Sequence, residues 1–456
     1  MPVTSYKRPL SLALQAAPLF AVWALLASPI HALVDFPSST LTLQTTASTT
    51  YDSYVVGTTN PGDDVIGTLR PQLTYAHKIG PTQLTAYTGV SFNRYYTNTQ
   101  FDSNDLSLGV SSNFPVAEGS RLNGQISATY NEMTQVDPLI NDRVATKNYS
   151  LSLTSTYATG LKTSLSDTIN YSRNERKAYG NQQIASNSLT FGYTDFLEDT
   201  NLRLNHNYTR TQSSASNYAN WVFDPTAIGN TPDTALDQTA NALTLGLAHP
   251  IYGKIIGEAT CGYMTVQRSA NETTSGNTRN SSATYGLSLT GPFLPPARFP
   301  KLDSSATVSY QQSMSPGIND SGSKSLQGSA QIGWNARERT HVSWSLSRSM
   351  GLGSNNFTVI STSTAFNVSE KIGMATSLTG NVSYNWRSYR GLSRSDTVLG
   401  AGLNLNHTLS QHWSLGSSYS FQDNKTDTPA GSFQATRFQI ENNIHHVFNF
   451  SANCVY

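Results

Sequence analysis

The 456-residue sequence is poor in cysteine, in charged residues and in long apolar runs. Its two cysteines exclude a scaffold held by several disulfides, and no Cys/His cluster indicates a zinc or redox site. Charged residues make up 12% of the chain and the net charge is +1, so no basic surface for nucleic acid is expected. Beyond the N-terminal region no run of about 18 apolar residues occurs, which argues against transmembrane helices.

The N-terminal region, residues 1–32, has the pattern of a secretory signal peptide. Lys7 and Arg8 precede an apolar stretch, which leads to the small residue Ala32 at a suitable cleavage point. The alternative is a single membrane-anchoring helix, but two prolines interrupt the stretch. We therefore expect an exported chain whose remaining part, residues 33–456, forms one domain.

In place of charge, the chain carries Ser, Thr, Asn, Gln, Gly and Tyr, with apolar residues at every second position. Leu378, Val382 and Trp386, for example, share one parity, while Ser, Thr and Asn occupy the other. This period of two indicates strands with one face in an apolar medium and the other in water. The aromatic content of 10% argues against disorder. The segments with this pattern begin near residues 41, 65, 84, 104, 122, 147, 161, 186, 200, 240, 254, 282, 302, 324, 340, 357, 372, 397, 411 and 436.

The connections between these segments alternate in length. Short turns are expected at 79–82, 115–120, 159–160, 249–254, 336–339, 369–371 and 409–411. Long polar loops are expected at 55–64, 97–104, 131–146, 174–186, 211–239, 267–281, 311–324 and 422–435. The sequence thus predicts an all-β fold, a transmembrane antiparallel up-and-down β-barrel of about 20 strands (18–20), with short periplasmic turns and long extracellular loops. Both termini are predicted to be periplasmic, in the outer membrane of a Gram-negative bacterium.

The chain ends on an apolar strand pattern with an aromatic final residue. Phe448, Phe450, Ala452, Cys454 and Tyr456 share one parity, and polar residues alternate with them. Bacterial barrels commonly end in this way, and the outer-membrane barrel assembly machinery is thought to read the signal. That machinery is therefore an expected partner.

Aromatic residues recur at the strand ends on the lipid-facing parity. The predicted girdle consists of Phe92, Tyr130, Tyr171, Tyr208, Tyr263, Tyr310, Trp344, Tyr384, Tyr419 and Tyr456. Ordinary aromatic enrichment in strands is the alternative, but it does not predict placement at strand ends on one face. We interpret these residues as belts at the membrane–water boundary.

Four arginines, Arg94, Arg173, Arg210 and Arg348, follow the outer girdle on the same parity. Solvated strand ends are one interpretation, and contacts with lipopolysaccharide phosphates are the other. Outer-membrane lipids and lipopolysaccharide are therefore expected partners. Asp167 departs from the pattern, because its parity directs a carboxylate toward lipid, so a local bulge or a polar neighbour is expected there.

A barrel of this strand number encloses an interior about 40 Å across, too wide for wall side chains to fill. Too few residues separate Ala32 from the first strand for a plug domain, which argues against a TonB-dependent receptor. The residues of lumen parity are mostly hydroxyls and amides. Singled out as lumen-lining are Arg70, Lys162, Arg203, Glu258, Asn381, Asn385 and Arg387. Such a wall suits neutral hydrated solutes better than an ion-selective pore.

The longest loop, 211–239, contains Trp221, Phe223 and Asp224. An inward fold would make these residues a constriction. An external cap over the barrel is the equal alternative.

The sequence predicts no enzyme and no cofactor, catalytic or metal site. A surface hydrolase would need a histidine with a partner near the outer rim, and no histidine of the exported part lies in a long loop. Cys261 and Cys454 fall on distant strands, so they are predicted to be free, lipid-facing thiols.

Residues 45–98 resemble the opening of the putative beta-barrel porin 2 family. The resemblance lies in a Tyr-Asp-Ser triplet at 51–53, a Leu-x-Pro at 69–71 and an Arg-Tyr at 94–95, although Tyr54 stands where Asn is common. The family resembles outer-membrane components found near exopolysaccharide export machinery. The resemblance therefore implies glycan passage, and polysaccharide export proteins as partners.

These observations together predict an outer-membrane channel for passive passage of polar solutes, glycans foremost, with a part in exopolysaccharide export. A general uptake porin and a structural or adhesin-like barrel that displays its surface loops are the alternatives.

Overall fold

A computed structural model describes most of the chain after residue 33. The described residues are 34–55, 62–115, 120–137, 142–176, 180–213, 236–269, 278–293, 301–313, 324–352, 358–389, 394–427 and 443–455. Within these ranges, no helix has the length and the apolar character needed to cross a membrane.

The described residues form antiparallel strands and one 3-10 helix, Thr99–Phe101. The strands are β1 Val34–Phe36, β2 Ser39–Val55, β3 Gly62–Ile79, β4 Thr82–Tyr95, β5 Ser103–Pro115, β6 Leu122–Asp137, β7 Asp142–Ala158, β8 Thr163–Arg176, β9 Gly180–Leu197, β10 Thr200–Ser213, β11 Leu236–Tyr252, β12 Ile255–Ser269, β13 Thr278–Thr290, β14 Leu302–Ser313, β15 Lys324–Arg337, β16 Thr340–Leu352, β17 Thr358–Ile372, β18 Thr376–Tyr389, β19 Arg394–Thr408, β20 Trp413–Asp427 and β21 Asn443–Val455.

Strands β2 to β21 form a closed barrel. Each pairs with the next along the chain, and β21 returns to β2, with Val455 opposite Gln44 and Val447 opposite Asp52. The prediction of twenty strands is confirmed, and every predicted start lies within seven residues of the observed one. The short strand β1 was not foreseen. It pairs with the beginning of β2, where Phe36 lies opposite Ser39.

Side chains that lie opposite each other on neighbouring strands share a face of the sheet. Leu41 of β2 lies opposite Tyr75 of β3, and the register then carries this face through every strand until Phe448 of β21 meets Tyr51 of β2. We call this the apolar face, and the opposite one, which contains Thr46 and Arg70, the polar face. In a membrane barrel wide enough to be hollow, the apolar face contacts lipid and the polar face lines the interior.

Short connections cluster at one end of the barrel, the turn end, and the longest ones at the other, the loop end. At the turn end β3–β4 and β11–β12 are joined by two residues each, beginning with Gly80 and Gly253, whose φ of +57° favours glycine. The longest connections, 214–235 and 428–442, both leave from the loop end. The assignment of the turn end to the periplasm stays a prediction.

Two predicted long loops, 131–146 and 174–186, are wrong. The strands continue through most of these residues, leaving only 138–141 and 177–179 outside β6–β9. The polar composition above the girdle suggested loops, but ladder hydrogen bonds do not require apolar side chains, and the pairing extends into the polar segment.

Candidate transport lumen

Hydroxyl and amide side chains on the polar face pair with one another across neighbouring strands. Examples are Thr129–Ser150 at 2.6 Å, Ser152–Asn170 at 2.7 Å, Ser347–Ser363 at 2.7 Å and Asn449–Thr50 at 2.6 Å. Each pair satisfies part of its hydrogen-bonding capacity and leaves the remaining lone pairs and protons for water or a solute. The polar face therefore offers uncharged hydrogen-bonding groups around the wall.

A charge pair on the polar face spans three strands. Arg203 of β10 donates from Nη2 to Oε1 of Glu258 on β12 at 2.5 Å. The intervening strand β11 has Gly246 at this point, and a Cβ there would lie 2.8 Å from the Glu258 oxygen. The ion pair can form because this position lacks a side chain. Arg203 and Glu258, both singled out from sequence, thus neutralise each other.

Four other predicted lumen residues also lie on the polar face, separately from this pair. Arg70 is opposite Thr46. On β18, Asn381, Asn385 and Arg387 share the polar face, with Ser383 between the two asparagines, and Asn385 accepts a hydrogen bond from Ser361 at 3.2 Å. Their contact with a passing solute stays a prediction.

Lys162 is not part of the wall. It lies in the turn between β7 and β8, one residue before the strand begins at Thr163, whereas the sequence suggested a start at 161. Its ammonium group contacts the Asp195 carboxylate at 2.5 Å, and this hydrogen bond raises the pKa of Lys162. The pair links two neighbouring hairpins at the turn end.

A small apolar cluster covers the polar face at the loop end. Val55, Tyr95 and Phe101 are buried and pack with Ile66, and the Tyr95 and Phe101 rings meet edge to face at 5.8 Å between centroids. Ile66 and Tyr95 lie opposite each other on the polar face, so the β4–β5 connection packs against the inside of the wall. Ile66 and Tyr95 are apolar or aromatic residues at positions where the alternation predicts polar ones. This departure was the signal in the sequence that could have revealed the cluster.

Asp64 holds this connection in place. Its carboxylate is 3% exposed and accepts hydrogen bonds at 2.9 Å from the backbone N–H groups of Thr97 and Asn98. The Asn98 side chain donates a further bond to the same carboxylate. The predicted constriction residues Trp221, Phe223 and Asp224 lie outside the described residues, so the inward contact seen in the structure is a different one.

The C-terminal third of the barrel matches a known family. Residues 306–446 fit the family model of putative beta-barrel porin 2. The resemblance inferred from sequence is confirmed, although it was based on residues 45–98, which lie outside the matched region. No curated protein matches this sequence.

Several solved structures share the fold. The FrpB iron transporter from Neisseria meningitidis (F5-1 variant) has a TM-score of 0.56 and 8% identity, with 95% of this chain and 83% of that chain covered. The copper transporter OprC has a TM-score of 0.54 and 10% identity, covering 91% and 80%. The ferric-catecholate import receptor Fiu from E. coli K12 has a TM-score of 0.51 and 9% identity, covering 93% and 82%. At these identities the likeness concerns the fold alone. The chain is a porin-like outer-membrane β-barrel.

The Tyr-Asp-Ser triplet lies at the seam where β2 meets β21. Asp52 contacts Nε2 of His445 at 2.6 Å, and the Ser53 hydroxyl accepts a hydrogen bond from the His446 backbone N–H at 2.8 Å. The Tyr51 ring lies 6.3 Å from that of Phe448. All three side chains of the motif therefore contact the last strand.

The apolar face contains nine of the ten predicted girdle residues; Tyr456 lies outside the described residues. The nine are Phe92, Tyr130, Tyr171, Tyr208, Tyr263, Tyr310, Trp344, Tyr384 and Tyr419. Some pack on aromatic neighbours, as Tyr419 does on Phe448 at 4.7 Å between ring centroids. Their depth in the membrane stays a prediction.

Three of the four arginines expected at the outer rim have protein partners. Arg210 forms a bidentate contact with Asp237, at 2.8 and 3.2 Å, and Arg173 contacts Glu175 at 2.6 Å. Arg94 donates to the Asn104 side chain at 2.8 Å. Arg348 is exposed. Two of these arginines are therefore accompanied by carboxylates at the loop end of the barrel.

Asp167 lies on the apolar face, as its parity predicted, between Leu165 and Ile169. The expected polar neighbour is Asn187, which donates from Nδ2 to the carboxylate at 2.7 Å. Cys261 and Cys454 are both free cysteines, as predicted, and both lie on the apolar face. Cys261 is exposed, whereas Cys454 is buried.

Proposed function

We infer that this barrel is a passive channel for polar, largely uncharged solutes, and that glycans are its main cargo. The single observation that carries the proposal is the polar face of paired hydroxyls and amides, in which the Arg203–Glu258 pair cancels its own charge. Weak, replaceable hydrogen bonds suit a hydrated sugar that must bind and then leave. Dense fixed charge of one sign would instead favour an ion.

We further propose a role in the passage of exopolysaccharide, with polysaccharide export proteins as partners, because the sequence resemblance of residues 45–98 implies it; the family match over residues 306–446 supports the porin-type barrel on which this role rests. The rim of Arg173, Arg210 and Arg348 suits contacts with lipopolysaccharide phosphates in the surrounding membrane. The carboxylates at this rim are compatible with the same lipids when divalent cations bridge them.

Conductance of the purified protein in a planar bilayer tests the proposal. We expect open channels with weak ion selectivity, measured as a small reversal potential in a KCl gradient, and concentration-dependent block by neutral oligosaccharides. Large steps that sugars do not block would indicate a general porin. Absence of conductance would indicate a structural barrel.

A pair of variants tests the role of the charge pair. Glu258→Gln leaves the Arg203 guanidinium unpaired, so the channel is expected to become anion-selective. The matched control, Arg203→Gln combined with Glu258→Gln, removes both charges and is expected to restore the wild-type reversal potential. An unchanged reversal potential in Glu258→Gln would show that this pair does not face the conducting path.

A further inference from the structure

Polar side chains such as Thr49, Thr364 and Ser417 occur at several places on the apolar face, but among the described residues a carboxylate and an imidazole come together within its central band in one sector. Asp167 on β8, Asn187 on β9 and His206 on β10 occupy this sector, and the register places Leu189 between Asp167 and His206. Each is flanked along its own strand by apolar or aromatic residues of the same face. The three residues therefore lie within the lipid-facing band and not at its rim.

The far side of the barrel provides the contrast. On β15 to β17 the same central band contains Ile332, Trp344, Leu346 and Phe366, and the hydroxyl of Thr364, opposite Leu346, accepts a hydrogen bond from the Trp344 indole N–H at 3.0 Å. Acyl chains solvate such a surface fully. A carboxylate, an amide and an imidazole find no hydrogen-bond partners in acyl chains, and such groups in a membrane are usually covered by protein.

We propose that this sector, Asp167, Asn187, Leu189 and His206, is the interface with a second copy of the chain. Asn187 satisfies one carboxylate oxygen of Asp167 within the chain. The sector holds the Asp167 carboxylate, a hydrogen-bond acceptor, on one side of Leu189 and the His206 imidazole, which can donate, on the other. The patch is therefore complementary to a second copy of itself. A two-fold axis parallel to the membrane normal and close to Leu189 places Asp167 of one copy opposite His206 of the other copy. The same axis places His206 of the first copy opposite Asp167 of the second.

Self-complementarity is the reason for choosing a second copy as the occupant. A different protein would need its own matching pair of groups, whereas two copies supply acceptor and donor to each other through one symmetric contact. The interface leaves the polar face untouched, so it does not depend on the proposed function.

Disulfide trapping in native outer membranes tests the proposal. Leu189→Cys, made in a chain with Cys261→Ser and Cys454→Ala, is expected to give a covalent dimer on oxidation. The matched control is Leu346→Cys in the same background, because Leu346 lies on the same face with a similar exposure, 38% against 40% for Leu189. The control is expected to stay monomeric.

Three outcomes would overturn the proposal: equal cross-linking of both variants, no cross-linking at Leu189, or cross-linking of Leu189→Cys only to another protein. Charge exchange gives a second measurement. Asp167→His and His206→Asp are each expected to weaken the dimer at least tenfold in detergent, measured by sedimentation. The double exchange is expected to restore the stability of the dimer. If the dimer is not restored although the barrel still shows heat-modifiable gel migration, the proposal is also contradicted.

Discussion

Strand β2 has two neighbours, and the chain supplies them in different ways. β3 follows it directly and forms fifteen register pairs with it, whereas β21 comes from the other end of the chain and forms nine. The hairpin has one side-chain hydrogen bond within the described residues, between Tyr51 and Asp63. The seam has several, made by Asp52, Ser53 and Asn453.

This difference has a physical origin. A short connection makes the loop-closure entropy of a hairpin small, but the seam must close almost the whole chain. The seam has no such connection and fewer ladder bonds, so side chains contribute more of its stability and fix its register. Substitutions at the seam should therefore cost more than equivalent ones at hairpins.

The largest effect is expected for Asp52→Ala. The carboxylate accepts hydrogen bonds from Nε2 of His445 and from the Tyr54 backbone N–H, and its loss leaves both donors unpaired. We expect the free energy of unfolding to fall by about 2 kcal/mol, measured by urea denaturation in lipid vesicles. The control is Asp63→Ala in the hairpin, whose exposed 3.3 Å contact with Tyr51 should contribute less than about 0.5 kcal/mol. Equal losses in the two variants would remove the distinction between seam and hairpin.

Asn453→Ala should have an intermediate effect. The Asn453 Oδ1 accepts hydrogen bonds from Gln44 at 3.1 Å and from Thr46 at 3.0 Å, so one side chain ties β21 to two positions of β2. We expect a loss of about 1 kcal/mol in the same assay. Ser150→Ala, which removes the exposed Thr129 contact between β6 and β7, is the comparison and should be nearly neutral. A larger loss for the serine variant would contradict the interpretation.

A smaller effect than that of Asn453→Ala is expected for Phe448→Ala on the lipid side of the seam. Its ring packs against Tyr419 and Tyr51, and lipid replaces only part of these contacts. An aromatic pair contributes about 0.5–1.5 kcal/mol, so a loss near the lower end is expected. Phe450→Ala, on the same strand and face but opposite Ser417 and Thr49, should be milder still. The temperature at which the barrel unfolds on an SDS gel would rank the two, and the reverse ranking would refute the aromatic contribution.

Much of the architecture follows from local pattern. The period of two identified all twenty wall strands and the face of residues such as Asp167 and Arg203, because parity depends only on neighbours in sequence. The residues at which strands end were harder to predict from the sequence. The polar segments 131–146 and 174–186 looked like loops, although backbone pairing continues up to residues 137 and 142 in the first and 176 and 180 in the second.

Features that depend on distant residues could not be found from sequence. Arg203 and Glu258 are separated by 55 positions, and their contact requires an empty position at Gly246 on the strand between them. For the cluster of Val55, Tyr95 and Phe101, the polar-face parity of Tyr95 was a signal in the sequence, but the partners that this ring packs against depend on a chain reversal. The three residues of β1 are too few to show any period.

The Asp64 carboxylate has a consequence for the timescale of motion at the loop end. Because it holds the amide protons of Thr97 and Asn98, these protons should exchange with deuterium as slowly as those of strand residues, although they belong to a connection. One sector of the entrance to the proposed channel would then be rigid. Solute access on that side would depend on static shape and would be insensitive to the viscosity of the medium.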